Sequence, residues 1–595
     1  MRKIVDPRQI ALVDPYEHVL SLLARKRLET GWPGVFRKVI LKLMPASTLA
    51  DRFHASMGAP TKELYSMAGL MFIMEFKNWT AEQAADAYMF DVGIQYALNL
   101  EPAGQSMSSR TVERYRRLFR ELELAAGVQE RVTKALIEAL ELSVAKQRTD
   151  STHIFSDMAM FGRTQLVAVT VKRFLAQVLR HDRPAYDALP EDLRARYAPS
   201  ASRLFGDTAR DAESRRNTRQ QVAQDMYALI KQFAEVPFHT TRTTYKNLER
   251  VFSEQCDVVE ERVEVKEKAG SRVMQNPSDP DATYDGKKGP GYQVQTAETC
   301  DENSDVQLIT AVLPQTAADT DPESYTELQD LLAENGHLPE TMLADTSYGS
   351  DDNVQAAQKA GVELVSPVNV SKRDPDKLHL DDFTIDAQTE QVLTCPAGHA
   401  PLESVHDPKT EQTTTRFDAD QCARCSFASV CPVTGKQQRS LKHTPAQRRR
   451  AERFQAEQTP EFRKTYAKRA GIEGTFRRLK QCTGLGRLRV RGEPAVFNAI
   501  YLKIAGWNVM QAAKSKKMRE ILAHPGKLEA LHARLAGVLG HFCVFIKHFI
   551  AFHRCIRTVI WEFRRDLRNG IQLPPQRLPL LSALSLKGDQ GGCSF

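Results

Sequence analysis

Tyr466, Arg469, Glu473 and Lys480 are spaced so that a single helix carries all four on one side. At about 100° per residue, offsets of 0, 3, 7 and 14 fall within a sector of about 60°. One carboxylate flanked by two cations and a phenol suits a place where a divalent metal meets a phosphodiester. Glu473 would ligate the metal while Arg469 and Lys480 neutralise phosphate oxygens. The competing reading is a solvated amphipathic helix. The surroundings favour the first, because residues 436–491 contain 17 Lys and Arg against 4 Glu and no Asp, a local charge of +13. The whole chain carries +8, which leaves −5 for everything else. Basic charge concentrated in this way is an electrostatic footprint for a polyanion.

Two upstream acids extend the pattern. Asp150 lies in Arg148-Thr149-Asp150-Ser151-Thr152-His153-Ile154-Phe155, where β-branched and aromatic residues indicate a strand. Asp345 closes the apolar run Met342-Leu343-Ala344 and is followed by the turn-like Thr346-Ser347-Tyr348-Gly349. Strand ends are costly places for an unpaired carboxylate, so such acids have a partner or a metal. Taken singly, either Asp reads equally as a cap or turn residue. Asp279, Asp281, Asp285, Asp351 and Asp352 read only that way.

Together, Asp150, Asp345 and Tyr466-x2-Arg469-x3-Glu473-x6-Lys480 resemble the DDE transposases of bacterial insertion sequences. The nearest group by this pattern is the one named after insertion sequence 1182. Further carriers are Gly289-Pro290-Gly291-Tyr292-Gln293, Cys395-Pro396-Ala397-Gly398-His399, Arg469-Ala470-Gly471-Ile472-Glu473-Gly474 and Gly484-Leu485-Gly486-Arg487. The resemblance covers most of residues 55–512. It implies a ribonuclease-H-like catalytic domain in which Asp150, Asp345 and Glu473 are catalytic. Three carboxylates in one pocket repel unless cations offset them, and two Mg2+ ions, for which Mn2+ can substitute, do so while clamping attacking and leaving oxygens. Asp150 then bridges the two ions, and Asp345 and Glu473 complete one each. The resemblance further implies that Tyr466, Arg469 and Lys480 grip the DNA end, that water cuts it and that the freed 3′-OH attacks target DNA. The implied partners are double-stranded DNA, as terminal inverted repeats and target, and a second copy of the chain in a homodimer. Two other readings stay open: a DNA-binding protein descended from a transposase without cleavage, and a metal-dependent nuclease without strand transfer.

The elements that must position these residues are legible in outline. A chain of 595 residues exceeds what one core serves, so two to four structural units are expected. Hydrophobic residues at 42% and charged residues at 26% exclude a largely disordered chain. The N-terminus has no apolar signal core and no run spans a bilayer, which gives a cytoplasmic, nucleoid-associated expectation with no membrane partner. Residues 1–140 read as a helical N-terminal domain for DNA-end binding, with helical periodicity at 64–76 and 81–98 and a capping box at Thr80. Residues 141–512 read as an α/β catalytic domain with a mixed sheet. It carries a helical insertion at 160–268 and a cysteine-containing insertion at 370–440. Residues 513–595 read as a helical packing or dimerisation region, with a helix at 535–561 and a frayed tail at 587–595. Trp79 and Trp507 read as core.

Within the second insertion, Cys395, Cys422, Cys425 and Cys431 form one spaced cluster. The Cys-x2-Cys pair puts two thiolates within reach of one zinc ion, and Cys395 and Cys431 complete a tetrahedral site, with His399 able to replace one of them. A metal-free remnant or a redox site is the alternative. Catalytic zinc is disfavoured, because a full thiolate set saturates the ion.

Overall fold

The computed structural model describes residues 1–536 apart from 10–13, 103, 199–211, 371–373, 387–388 and 436–437. It divides into a large unit, Met1–Ala523, and a second that begins at His524. Of the second unit, residues 525–536 are helical. The helix expected at 535–561 lies, from residue 537 on, outside the described residues, as does the tail at 587–595.

Residues up to 140 are helical where described in regular structure. Helix α1, Leu64–Phe76, is apolar all round and buried along almost its whole length, as a central helix must be. The capping box at Thr80 forms as the sequence indicates, with Gln83 N donating to Thr80 Oγ1 at 3.2 Å and Thr80 N to Gln83 Oε1 at 2.9 Å. The single helix expected at 81–98 is instead two, Ala81–Phe90 and Val92–Ala97. Asp91 is extended there and its carboxylate accepts from Ile94 N, so it caps a new helix rather than continuing the old one. Helix α2, Leu124–Leu140, completes the bundle.

The sheet follows directly. Strand β1, Lys146–Ile154, pairs antiparallel with β2, Gly289–Thr299, and β2 pairs antiparallel with β3, Ile309–Thr316. On the other edge β1 runs parallel to β4, Thr341–Leu343, which runs parallel to β5, Glu363–Val365. The order is therefore β3-β2-β1-β4-β5, with β1 central. A short strand, Thr283–Asp285, pairs with the start of β2. This mixed sheet, with helices on both faces, is consistent with the ribonuclease-H-like fold.

Between β1 and β2 three longer helices, α3 (Arg163–His181), α4 (Ala212–Phe233) and α5 (Thr243–Gln255), enclose their own apolar core around Phe174, Met226 and Leu248. Helix α6, Asp321–Glu334, packs Tyr325, Leu328 and Leu332 against Ala297 and Ala311 on one sheet face. Helix α7, Asp351–Lys359, begins at Ser350, whose hydroxyl caps Asn353 N. The cysteine-containing segment builds a small three-stranded sheet, Glu403–Asp407, Gln412–Phe417 and Arg439–His443, over Phe383, Val392 and Leu441. It runs into α8, Pro445–Ala456.

The opposite sheet face receives the late helices. After α9, Pro460–Tyr466, the chain passes through a 3₁₀ turn, Ala467–Ala470, into α10, Gly471–Thr483. Ile472, Phe476 and Leu479 bury against Ile154, Tyr292 and Val294, together with Val496, Ile500 and Ile504 of α11, Glu493–Ala512. Helix α11 also ties in the N-terminal helices. Lys503, 1% exposed, donates to Glu75 O at 2.7 Å, Asn78 Oδ1 at 3.1 Å and Thr483 O at 2.6 Å, and burial pulls its ammonium down to about 8. Trp507 is core, as expected, and Trp79 is half-buried. Among the described residues, no helix is long and apolar enough to cross a membrane.

Candidate active site

The site is built where β1, the end of β4 and the start of α10 meet. Side chains alternate across a strand, so Arg148, Asp150, Thr152 and Ile154 share the face of β1 that α10 covers. Asp150 is opposite Thr296 of β2, and its side chain is only 14% exposed. Ser151 N donates to its Oδ1 at 2.8 Å. Burial pushes the Asp150 carboxyl up to about 6, against the pull of the Arg469 guanidinium, and the nearby charge of Asp345 pushes the same way as burial.

Asp345 lies two residues beyond β4 and caps the 3₁₀ turn Thr346–Tyr348, accepting from Ser347 N at 2.9 Å. Its backbone carbonyl accepts from Ser366 Oγ at 2.5 Å, just past β5. Gly349 closes the turn so tightly that a Cβ there would stand 2.6 Å from Ser366 Oγ and 2.8 Å from Pro367 O. Helix α8 holds the turn from outside. Arg449 makes a two-pronged pair with Asp351 at 3.1 and 2.6 Å, and Arg453 Nη2 donates to Gly349 O at 3.0 Å.

Glu473 sits in the first turn of α10, with its side chain 64% exposed. The helix expected to carry Tyr466, Arg469, Glu473 and Lys480 on one uninterrupted face is broken by the 3₁₀ turn at 467–470. The reason lies on β1. Arg148 Nη1 donates to Lys468 O at 2.9 Å, drawing that carbonyl toward the sheet. Gly471 makes room, since a Cβ there would meet the Arg148 guanidinium at 1.9 Å. Arg148 is itself bound to Glu298 of β2, with Nε to Oε2 at 2.7 Å and Nη2 to Oε2 at 2.6 Å, and Thr475 Oγ1 donates to Glu298 Oε1 at 2.7 Å. Glu298 is 1% exposed, and burial raises its carboxyl despite Arg148. This pair fastens the start of α10 to the sheet. Sequence reasoning missed it, because a strand Arg and a strand Glu separated by 150 residues carry no local signal.

Arg469 stands between the acids. Its Nη2 donates to Asp150 Oδ2 at 2.6 Å and its Nη1 to Glu473 Oε1 at 2.9 Å. The guanidinium, expected to grip a phosphate, is thus engaged by two of the three carboxylates. Tyr466 stacks on Phe462, with ring centroids 5.8 Å apart, and burial raises its phenol. Its charge neighbours include Arg469, Asp345 and Asp150, so it belongs to the same cluster. Lys480 does not. It lies two turns, about 10.5 Å, further along α10, half-buried against Gly486, and its ammonium is lowered by burial and then by Lys288. The four residues therefore occupy two places, Tyr466, Arg469 and Glu473 around the acids and Lys480 further along α10.

Behind the acids, Tyr348 OH donates to Gln295 Oε1, and Gln295 Nε2 donates to Asp321 Oδ1 at 2.7 Å. Asp321, at the start of α6, adds negative charge felt by Asp150. It too was not singled out by sequence, since acids at helix starts are common.

The residues fit both implied metals by their chemistry. Asp150, Asp345 and Glu473 offer hard oxygens around a cation already present as Arg469. Cys395, Cys422, Cys425 and Cys431 are all partly buried without disulfides, and each lies within electrostatic reach of others in the group. Burial, followed by the neighbouring sulfurs, raises the Cys422 thiol. Phe427 N donates to Cys425 Sγ at 3.4 Å, and burial raises the Cys431 thiol against the smaller pull of the Val433 N–H. As the side chains stand, no three His, Cys, Asp or Glu among the described residues converge tightly enough to hold one ion. Arg469 separates Asp150 from Glu473.

Comparison with known proteins bears on this region. Residues 394–513 match a family model described as a transposase DDE domain. That stretch contains the cysteines, Tyr466, Arg469, Glu473 and Lys480, but neither Asp150 nor Asp345. A search of curated proteins finds no match. Among solved structures, a cryo-EM piggyBac transposase synaptic complex with hairpin DNA is similar at 10% identity, covering 73% of this chain and 78% of that one with a TM-score of 0.20.

With its folded pKa near 6 against 3.8 unfolded, Asp150 binds protons more readily folded than unfolded, so it costs stability increasingly as pH rises from about 4 to about 6. Asp150→Asn removes that cost. The variant should be more stable than the parent by roughly 1–3 kcal/mol above pH 6 and gain little at pH 4. Urea midpoints at the two pH values check this; an equal gain at both would refute the buried, raised carboxyl.

Proposed function

We propose that this chain is a DNA transposase of the bacterial insertion-sequence type, in the insertion sequence 1182 group, that cleaves element ends and joins them to target DNA. The observation that carries the reading is that Arg469 pairs with both Asp150 and Glu473, while the charge of Asp345 reaches Asp150. The match of residues 394–513 to a transposase DDE domain supports it independently of the two aspartates. On this reading residues 1–140 bind the element end, 141–512 hold the chemistry and 513–595 mediate packing between two copies.

Asp150, Asp345 and Glu473 would hold two Mg2+ ions, whose chemistry is to activate water or a 3′-OH and to stabilise charge on the transferring phosphate. Asp150 must be ionised for this, which its environment permits above about pH 6. Arg469 keeps the acids from repelling one another before DNA arrives and, released from Glu473, brings a fork of donors to a phosphate. Tyr466, at the rim, contacts the end nearest the cut. Lys480 neutralises a phosphate further along the duplex.

The test is purified protein with Mg2+ and DNA carrying the element's own ends, with products resolved on a denaturing gel. Nicked ends and joined products are expected. Cleavage without joining would make the chain a nuclease, and binding with neither would make it a DNA-binding derivative. For the cysteines, we expect Cys422→Ser and Cys425→Ser to lose bound zinc and thermal stability together. Elemental analysis that finds no zinc in the parent protein would remove the zinc site.

A further inference from the structure

Beyond α10 the chain turns at Gly484, and residues 486–491 run alongside the continuation of β1 with a bend at Arg489. Phe155 N donates to Gly486 O at 3.1 Å, Leu488 N to Phe155 O at 2.8 Å and Asp157 N to Val490 O at 2.9 Å. This backbone is pinned to the sheet. Leu488 and Val490 are buried in the core shared with α10 and α11. Arg487, Arg489 and Arg491, between and beyond these buried residues, are all exposed.

Folding makes no use of these three charges. Among the described residues, no carboxylate lies within ion-pair distance of any of them, whereas Arg469, Arg148 and Arg449 are all paired. Their charged neighbours include other cations: Arg173 near Arg491 and Lys503 near Arg489. Exposed arginines held on a pinned backbone repel one another unless an anion covers them.

We propose that Arg487, Arg489 and Arg491 form a track for the phosphate backbone of duplex DNA. Phe155, where the track begins, is five residues along the strand direction from Asp150, about 17 Å. The track therefore meets DNA about five base pairs from the phosphodiester at the acids. The inference rests on the reading that those acids act on DNA, and adds a surface distinct from them and from Tyr466, Arg469 and Lys480.

The full-length protein tests it, with a fluorescent duplex titrated across a series of salt concentrations. Replacing Arg487, Arg489 and Arg491 together by Gln should lower the slope of log affinity on log salt by about 2.7, since each phosphate-bound cation contributes about 0.9. The triple Lys variant should keep the parent's slope, because counterion release depends on charge and not on the guanidinium. A triple Gln slope equal to the parent's overturns the track, and so does stronger binding of the parent to double-stranded RNA than to DNA. If the triple Gln protein does not fold, by circular dichroism, the three single variants decide, each expected to lower the slope by about 0.9. The electrostatic term is independent of sequence, so any duplex serves. A parent that binds with the full slope but never cuts its ends would sink the transposase reading and leave the track standing. A parent that cuts, with a triple Gln variant of unchanged slope, would sink only the track.

Discussion

Asp150→Asn, Asp345→Asn and Glu473→Gln should each lose end cleavage by at least about 100-fold while still binding DNA. Even a residue that merely orients a metal ligand is worth about 10–100-fold, so a direct ligand sets that as its floor. The three variants differ in what else they disturb. Asp150→Asn and Glu473→Gln each remove one carboxylate from Arg469, whose Nη2 and Nη1 donate to them at 2.6 and 2.9 Å. The guanidinium then has donors to spare, and binding to DNA in the absence of metal should tighten. Asp345→Asn breaks no contact with Arg469 and should leave binding unchanged. Gel-shift titrations alongside cleavage assays separate these outcomes. Any of the three that retained a tenth or so of the parent's cleavage, well above what a lost ligand permits, would have to be removed from the catalytic set.

The second large effect is on stability. Arg148→Ala should destabilise the large unit by about 3–5 kcal/mol, because it strands Glu298 as an unpaired carboxylate in a nearly inaccessible site. It also frees the Lys468 carbonyl and with it the first turn of α10, so the position of Glu473 loosens. Replacing Arg148 and Glu298 together by Met should cost far less than Arg148→Ala alone, since the desolvated charges leave as a pair. Urea denaturation of the single and double variants measures the difference. If Arg148→Ala proved neutral, the anchoring of α10 by this pair would be wrong. Gly471→Ala gives a second approach to the same contact, because its Cβ would displace the Arg148 guanidinium.

How far the sequence alone could be read depends on the range of the force involved. Strand β1, the Thr80 capping box and α1 were legible because helix and strand periods and caps act within a few residues. The proposed grouping of Asp150, Asp345 and Glu473 comes only from a family resemblance, since nothing in local sequence relates residues 150 and 473. The continuous helix from Tyr466 to Lys480 was misjudged for the same reason. Its periodicity is intact, but a side chain from β1 takes the Lys468 carbonyl and tightens the backbone into a 3₁₀ turn.

What the sequence by itself determined, then, was the helical or strand character of the longer periodic segments, the concentration of positive charge in residues 436–491, and the closeness of the cysteines along the insertion. The tertiary structure decided the partners. Burial of Ile472, Phe476 and Leu479 against Ile154, Tyr292 and Val294 sets α10 across β1. Only that packing brings Arg469 to Asp150, 319 residues earlier, and lets Arg148 reach Lys468. The same packing leaves Arg487, Arg489 and Arg491 exposed, with no carboxylate within ion-pair distance among the described residues. Charge is a property of composition, but whether a charge is paired or free depends on distances of a few ångströms across the packed core, and no local pattern encodes those.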